Sequence, residues 1–131
     1  MAAQMKSNIT RTERGWGGHF ICSSRCLFRR NTLLQRGTVS IVVSTVGAMC
    51  LYEEEGKFEQ IGCDRYYETM VFHSMTDDTR YHDADVTREV CLENVQWQIN
   101  YLDADDKANN MHERAVESII KRIKKGEFDN E

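Results

Sequence analysis

Near the C-terminus, Ala104, Ala108, Met111, Ala115, Ile119 and Ile123 recur at intervals of 4, 3, 4, 4 and 4 residues. That spacing places all six on one face of an α-helix. The ends of the stretch carry matching signals. Asp103 stands at the N-cap position, with Asp105 and Asp106 in the first turn, where they favour the positive end of the helix dipole. Lys121, Arg122, Lys124 and Lys125 crowd the last turn, Glu117 precedes Lys121 by one turn, and Gly126 occupies the position of a C′ glycine. The pattern predicts a helix of about 22 residues, roughly 33 Å long. Three alanines in its stripe permit close packing against a sheet or a symmetry mate.

Everything before that helix reads as strands and loops. The β-branched run Thr38 to Leu51 (Val39, Ile41, Val42, Val43 and Val46) predicts a central strand. Asn8 to Thr12, Leu27 to Leu34, Phe58 to Ile61, Tyr66 to Ser74, His82 to Val90 and Cys91 to Asn100 are further extended segments. Gln35-Arg36-Gly37 is a turn signal, and Glu53-Glu54-Glu55-Gly56-Lys57 a solvated hairpin loop. The fold class expected is α+β, a small antiparallel β-sheet packed with a long C-terminal helix. Residues 1–10 are expected as an N-terminal tail, 11–125 as a single domain and 126–131 as a C-terminal tail.

The chain has 131 residues, 40% hydrophobic and 29% charged, enough for one core and not a disordered composition. It contains no proline, which excludes collagen-like and proline-rich designs and leaves turns to Gly, Asn, Asp and Ser. The apolar run Ile41–Val43 falls far short of the about 20 residues that span a bilayer. Residues 1–10 lack the apolar core of a signal peptide. Five cysteines, an odd number, fit free thiols in a reducing compartment. A soluble protein of the cytosol is the expectation.

The net charge of −4 conceals an asymmetry. Arg11, Arg14, Arg25, Arg29, Arg30 and Arg36 face a single acid, Glu13, giving this window +5 and leaving −9 for the rest. Guanidinium forks bind phosphates bidentately and stack on bases, which lysine does not. Two readings stand side by side: the arginines pair with acids elsewhere in the fold or assembly, or several converge on a phosphate-bearing small molecule. A long nucleic acid is disfavoured by the pI of 5.6.

Chemistry-bearing residues form no single decisive motif. His19-x-x-Cys22-x-x-x-Cys26 has ligand types for zinc, but the spacing is not that of a zinc knuckle and no second pair follows. Cysteine–histidine pairs or Ser44 would suit a nucleophile, without a family signature. Asp83 and Asp85 lie on the same side of a strand, about 7 Å apart, placed for a divalent metal or for acid–base work, or to pair with Arg88 or the arginine window. Arg14-Gly15-Trp16-Gly17-Gly18-His19 is a tight glycine loop but not a phosphate-binding P-loop. The aromatic set Trp16, Phe20, Tyr66, Tyr67, Phe72, Tyr81 and Trp97 exceeds the needs of a small sheet. Some of these rings are expected at an interface or beside a base.

Read in order, Arg14-Gly15-Trp16-Gly17-Gly18-His19-Phe20-Ile21-Cys22, Cys26-Leu27-Phe28-Arg29-Arg30-Asn31-Thr32-Leu33, Val42-Val43-Ser44-Thr45-Val46-Gly47, Asp64-Arg65-Tyr66-Tyr67-Glu68-Thr69-Met70, Asp83-Ala84-Asp85-Val86 and Asn109-Asn110-Met111-His112-Glu113 form a familiar series. The series resembles the first-described Thoeris anti-defence family of bacteriophage proteins, over residues 11–123. The resemblance implies a non-enzymatic sponge, without cofactor or metal, in the cytoplasm of an infected bacterium. Such a protein sequesters cyclic ADP-ribose-type signals, in some members also cyclic oligonucleotides, and works as a homo-oligomer, dimer or hexamer, without membrane or long nucleic acid. On residue chemistry over the span the resemblance covers, Arg29, Arg65 and Arg88 would meet the pyrophosphate, and Phe72 or Trp97 would stack the adenine. Asn31, Asp85 and Asn109 would read ribose hydroxyls or the base edge, and His19 and Arg25 would form a second anion site at a subunit interface. The rival classes are a metal-dependent nucleotide-cleaving enzyme and a protein-binding inhibitor of a host defence enzyme.

Overall fold

A computed structural model describes residues 8–14, 19, 25–50, 58–61, 66–75, 84–90, 96–97 and 104–129. Its strands are β1 (Thr10–Arg14), β2 (Cys26–Arg36), β3 (Val39–Cys50), β4 (Phe58–Glu59), β5 (Tyr67–Ser74), β6 (Ala84–Val90) and β7 (Gln96–Trp97), followed by one helix, α1 (Ala104–Lys124). They form one antiparallel sheet of order β1-β2-β3-β5-β6, with β4 on β3 and β7 on β5. The α+β architecture inferred from periodicity is the one observed, with the β-branched segment at the sheet's centre. Gly37 and Thr38 form the two-residue loop between β2 and β3. Gly37 has φ +60° at the first loop position, as a type II′ hairpin turn requires.

Strand alternation gives the sheet two faces. Leu34, Ile41, Val43 and Val71 face α1 and pack with Ala115, Val116, Ile119 and Ile123. All six residues of the helical stripe are buried, joined by His112 and Val116. On the opposite face Leu33, Val42, Val46 and Phe72 are buried as well, so β3 is covered on both sides.

Near the start of α1 the sheet approaches the helix through one close contact. A Cβ at Gly47 would collide with the ring of Tyr67, and that ring packs edge-on to Phe28 at 5.6 Å. The Tyr67 hydroxyl donates to Asp105 Oδ1 at 2.6 Å. Burial and this bond to a carboxylate both push the phenol pKa up. Asp105, expected only as a first-turn charge, thus also ties the helix to β5.

The helix ends as its sequence predicts. Gly126 has φ +79°, its N–H donates to the Ile123 carbonyl at 3.0 Å, and the Glu127 N–H donates to the Arg122 carbonyl at 3.2 Å. These two bonds define a Schellman motif. Residues 126–129, expected to begin a tail, turn back instead. Phe128 is buried between His73, edge-on at 5.8 Å, and the Arg122 guanidinium, 5.0 Å from the ring centre. Among the described residues no helix is long and apolar enough to cross a membrane.

Candidate functional site

Three polar constellations are built on this frame, and seven of the ten residues expected at a ligand site divide among them. The first is an ionic seam joining β1, β2 and α1. Register places Glu13 beside Thr32 and Arg11 beside Leu34 on the helix-facing side. Arg11 donates to both oxygens of Glu113, at 3.0 and 2.6 Å, and to Glu13 at 3.2 Å. Arg30 reaches Glu13 at 2.5 Å, Glu113 at 3.0 Å and the Asn109 side-chain oxygen at 3.2 Å. Burial alone would raise the Glu13 pKa, but hydrogen bonds from Arg11 and Arg30 outweigh it and hold the carboxyl at about 2. Asn109 is therefore engaged by an arginine of the same chain.

Beneath that seam lies a histidine that sequence reasoning did not single out. His112 is fully buried. Its Nε2 lies 2.7 Å from Thr32 Oγ1 and its Nδ1 2.7 Å from Thr45 Oγ1, which is itself 2.7 Å from Thr69 Oγ1. A neutral imidazole donates from one ring nitrogen and accepts at the other, so one threonine hydroxyl donates to His112 and the other accepts from it. Burial is the main force lowering the His112 pKa to about 4. Glu13, His112 and Glu113 bring potential ligand atoms within 4.8 Å of one another. The two guanidiniums already occupy the carboxylates, however, and both imidazole nitrogens are engaged, so this is an ionic clasp by construction. The only advance signal for His112 is its place one residue beyond Met111 of the buried stripe.

The second constellation lies on the opposite face of the sheet and collects four of the expected residues. Register sets Arg14, Asn31, Ser44 and Met70 in one row, Leu33, Val42 and Phe72 in the next, and Arg29, Val46 and Glu68 in another. His19 sits over them. Its backbone N–H donates to Ser44 Oγ at 3.2 Å, Nδ1 lies 3.0 Å from the same oxygen, and the ring centre is 5.7 Å from that of Phe72. Nε2 lies 3.4 Å from Glu68 Oε1, within ion-pair range but without hydrogen-bond alignment. A hydroxyl, an imidazole and a carboxylate in line are the parts of a nucleophilic site. Ser44 is fully buried, and here the set anchors His19 to the sheet. Asn31 and Phe72 are also buried, whereas Arg29 is exposed.

The third is a cavity of about 430 Å³ at the end of the sheet by the Gly37 turn, lined among others by Gln35, Ser40, His73, Ser74, Arg88 and Phe128. Its volume falls in the range of about 300–1,000 Å³ usual for small-molecule sites. The hydroxyls are held in place: Ser74 donates to Ser40 at 2.8 Å, and the Gln35 amide donates to Ser40 at 3.5 Å. A break in β6 shapes the far wall. Phe72 pairs with Glu89 and Ser74 with Ala84, so residues 85–88 all stand opposite His73 alone. Such bulges re-aim side chains and recur next to functional sites. Here Arg88 lines the cavity and Val86 is exposed. Asp85 lies in the bulge, and its Oδ1 accepts from the Thr87 N–H at 3.0 Å and from Thr87 Oγ1 at 2.5 Å.

Of the remaining expected residues, Arg25 is exposed just before β2. Arg65, and the side chain of Trp97, lie outside the described residues, as do Asp83, Asp103, the glycine loop at 15–18 and the acidic loop at 53–57. No family model, no curated protein and no solved structure matches this chain.

Proposed function

We propose that this protein is a non-enzymatic anti-defence sponge that binds and sequesters a cyclic ADP-ribose-type nucleotide, as its resemblance to the Thoeris anti-defence family implies. The observation that carries this reading is the cavity at the end of the sheet. It has the volume for a small ligand and one arginine on its wall, with fixed hydroxyls, an amide and a histidine around it. Arg88 supplies the fork for a pyrophosphate, Ser40, Ser74 and Gln35 supply ribose contacts, and His73 offers a ring edge.

Arg29, Arg65 and Trp97 stay candidate contacts, as do His19 and Arg25 for a second anion, where a further copy of the chain completes a site, whereas Asn31 and Phe72 are buried in the sheet and are not proposed as contacts. Function as a homo-oligomer in the cytoplasm of an infected host belongs to the same proposal. The test is retention: the purified protein is mixed with a cyclic ADP-ribose isomer, free ligand is filtered away, and the protein is denatured by heat. Intact nucleotide released only by heat is expected, with Arg88→Ala weakening affinity at least about tenfold, the worth of one charge-assisted contact. A cleaved product transfers the reading to an enzyme. Ligand that passes through unretained refutes the sponge.

A further inference from the structure

The irregularity of β6 carries one step more. Four residues opposite one is a large interruption for a sheet strand, and it needs something to hold it in a single shape. The Asp85 carboxylate does so by gathering the Thr87 N–H and hydroxyl onto one oxygen, closing a local turn that competes with ladder pairing. Arg88 follows immediately, at the last position before regular pairing resumes at Glu89. The direction in which Arg88 leaves the strand is thus set by the turn before it. Asp85 is also close enough to Arg88 for the guanidinium charge to act on it, so it biases the guanidinium electrostatically from the bulge side.

From this geometry we infer that Asp85 and Thr87 are positioning residues, whose turn fixes the β6 bulge and holds Arg88 at the cavity for an anionic ligand. The inference rests on reading the cavity as the nucleotide site, and it gives Asp85 a different task from a ribose contact. A ribose contact would be lost with the Asp85 carboxylate and would be indifferent to Thr87. A positioning turn needs both partners.

The experiment measures affinity of the full chain for a cyclic ADP-ribose isomer in R88A, D85A, D85N, T87V and the D85A/T87V double variant, with hydrogen exchange at the Thr87 amide in the absence of ligand. D85A, which removes both bonds of the turn, is expected to weaken binding about tenfold, the worth of one oriented charge-assisted contact, and T87V, which removes only the hydroxyl bond, by part of that. The double variant is expected to lose no more than D85A alone, since Asp85 accepts both bonds of the turn. D85N keeps an acceptor oxygen and recovers most of the loss, a rescue that general destabilisation would not give. Thr87 exchange accelerates in D85A and not in R88A. If R88A weakens binding while D85A and T87V do not, the positioning role is overturned and the cavity reading stands. If R88A binds as the natural chain does, or the natural chain binds nothing, the cavity reading falls and takes the inference with it. Unchanged Thr87 exchange in D85A overturns the turn itself, whatever the ligand does.

Discussion

Acid should unfold this protein through His112 before it reaches the carboxylates. Burial lowers the pKa of this imidazole to about 4 in the folded chain, against the ordinary histidine value of 6.5. Between those values the unfolded chain takes up a proton that the folded chain refuses, so stability falls as pH falls. The loss is absent above pH 6.5 and complete below about 4, and across roughly 2.5 units it amounts to about 3 kcal/mol. That is a large share of the 5–15 kcal/mol, roughly, that holds a domain together. Glu13 acts in the same direction in a lower window: its folded pKa is about 2 against 4.5, so its contribution is present above 4.5 and goes as pH falls toward 2. The assay is urea unfolding at half-unit steps from pH 7.5 to 4, for the natural chain and for His112→Gln. Gln fills much of the same space and does not titrate, so the difference between the two curves isolates His112. That difference should shrink by about 3 kcal/mol from pH 7 to 4. Parallel curves would refute the reasoning, because they would mean that the folded state protonates His112 as readily as water does.

Three further perturbations follow from the packing. Thr32→Val removes the hydroxyl 2.7 Å from His112 Nε2 and leaves that buried ring nitrogen unpaired, which should cost about 1–3 kcal/mol in chemical denaturation. Gly47→Ala places a methyl group in the Tyr67 ring and should cost about 1–3 kcal/mol, with the Tyr67–Asp105 bond weakened, seen as a fall in the denaturation midpoint. Gly126→Ala forces a Cβ into the left-handed conformation at φ +79° and to 2.9 Å from an Asp129 oxygen. It should lower stability by about 1–2 kcal/mol and loosen Phe128, measurable as a drop in melting temperature.

Local signals were legible wherever one element determined them. The six-residue stripe, the glycine stop at Gly126 and the β-branched core of β3 depend on neighbours a few positions away, and each stands where its pattern puts it. Distant partnerships were not legible. Arg30 meets Glu113 across 83 positions and His112 meets Thr32 across 80. Nothing in a polar residue beside a helical stripe tells whether it will be exposed or sealed under three threonines. The β6 segment shows a third kind of gap. Its alternation of Ala84, Val86 and Arg88 with Asp85 and Thr87 suits a plain edge strand, yet the turn chemistry of Asp85 and Thr87 overrides the alternation and bulges the strand.

The fate of the arginine window bears on the class of partner proposed for this chain. Its +5 charge suggested phosphate, and its spacing left open whether the guanidiniums were free for one. Arg11 and Arg30 are clasped by Glu13 and Glu113, and Arg36 donates to the Ile123 carbonyl and pairs with Asp129 at 3.6 Å. Half of the six arginines therefore hold the helix and the C-terminal turn against the sheet. A long polyanion binds through a broad field of unengaged cations, each displacing a counterion. Positive charge spent on internal clasps does not make such a field. Arg88, on a separate strand and beside a cavity of about 430 Å³, offers one fork in one place. Binding through it should depend on the shape of a small ligand more than on salt, and a weak ionic-strength dependence of affinity is the expected consequence.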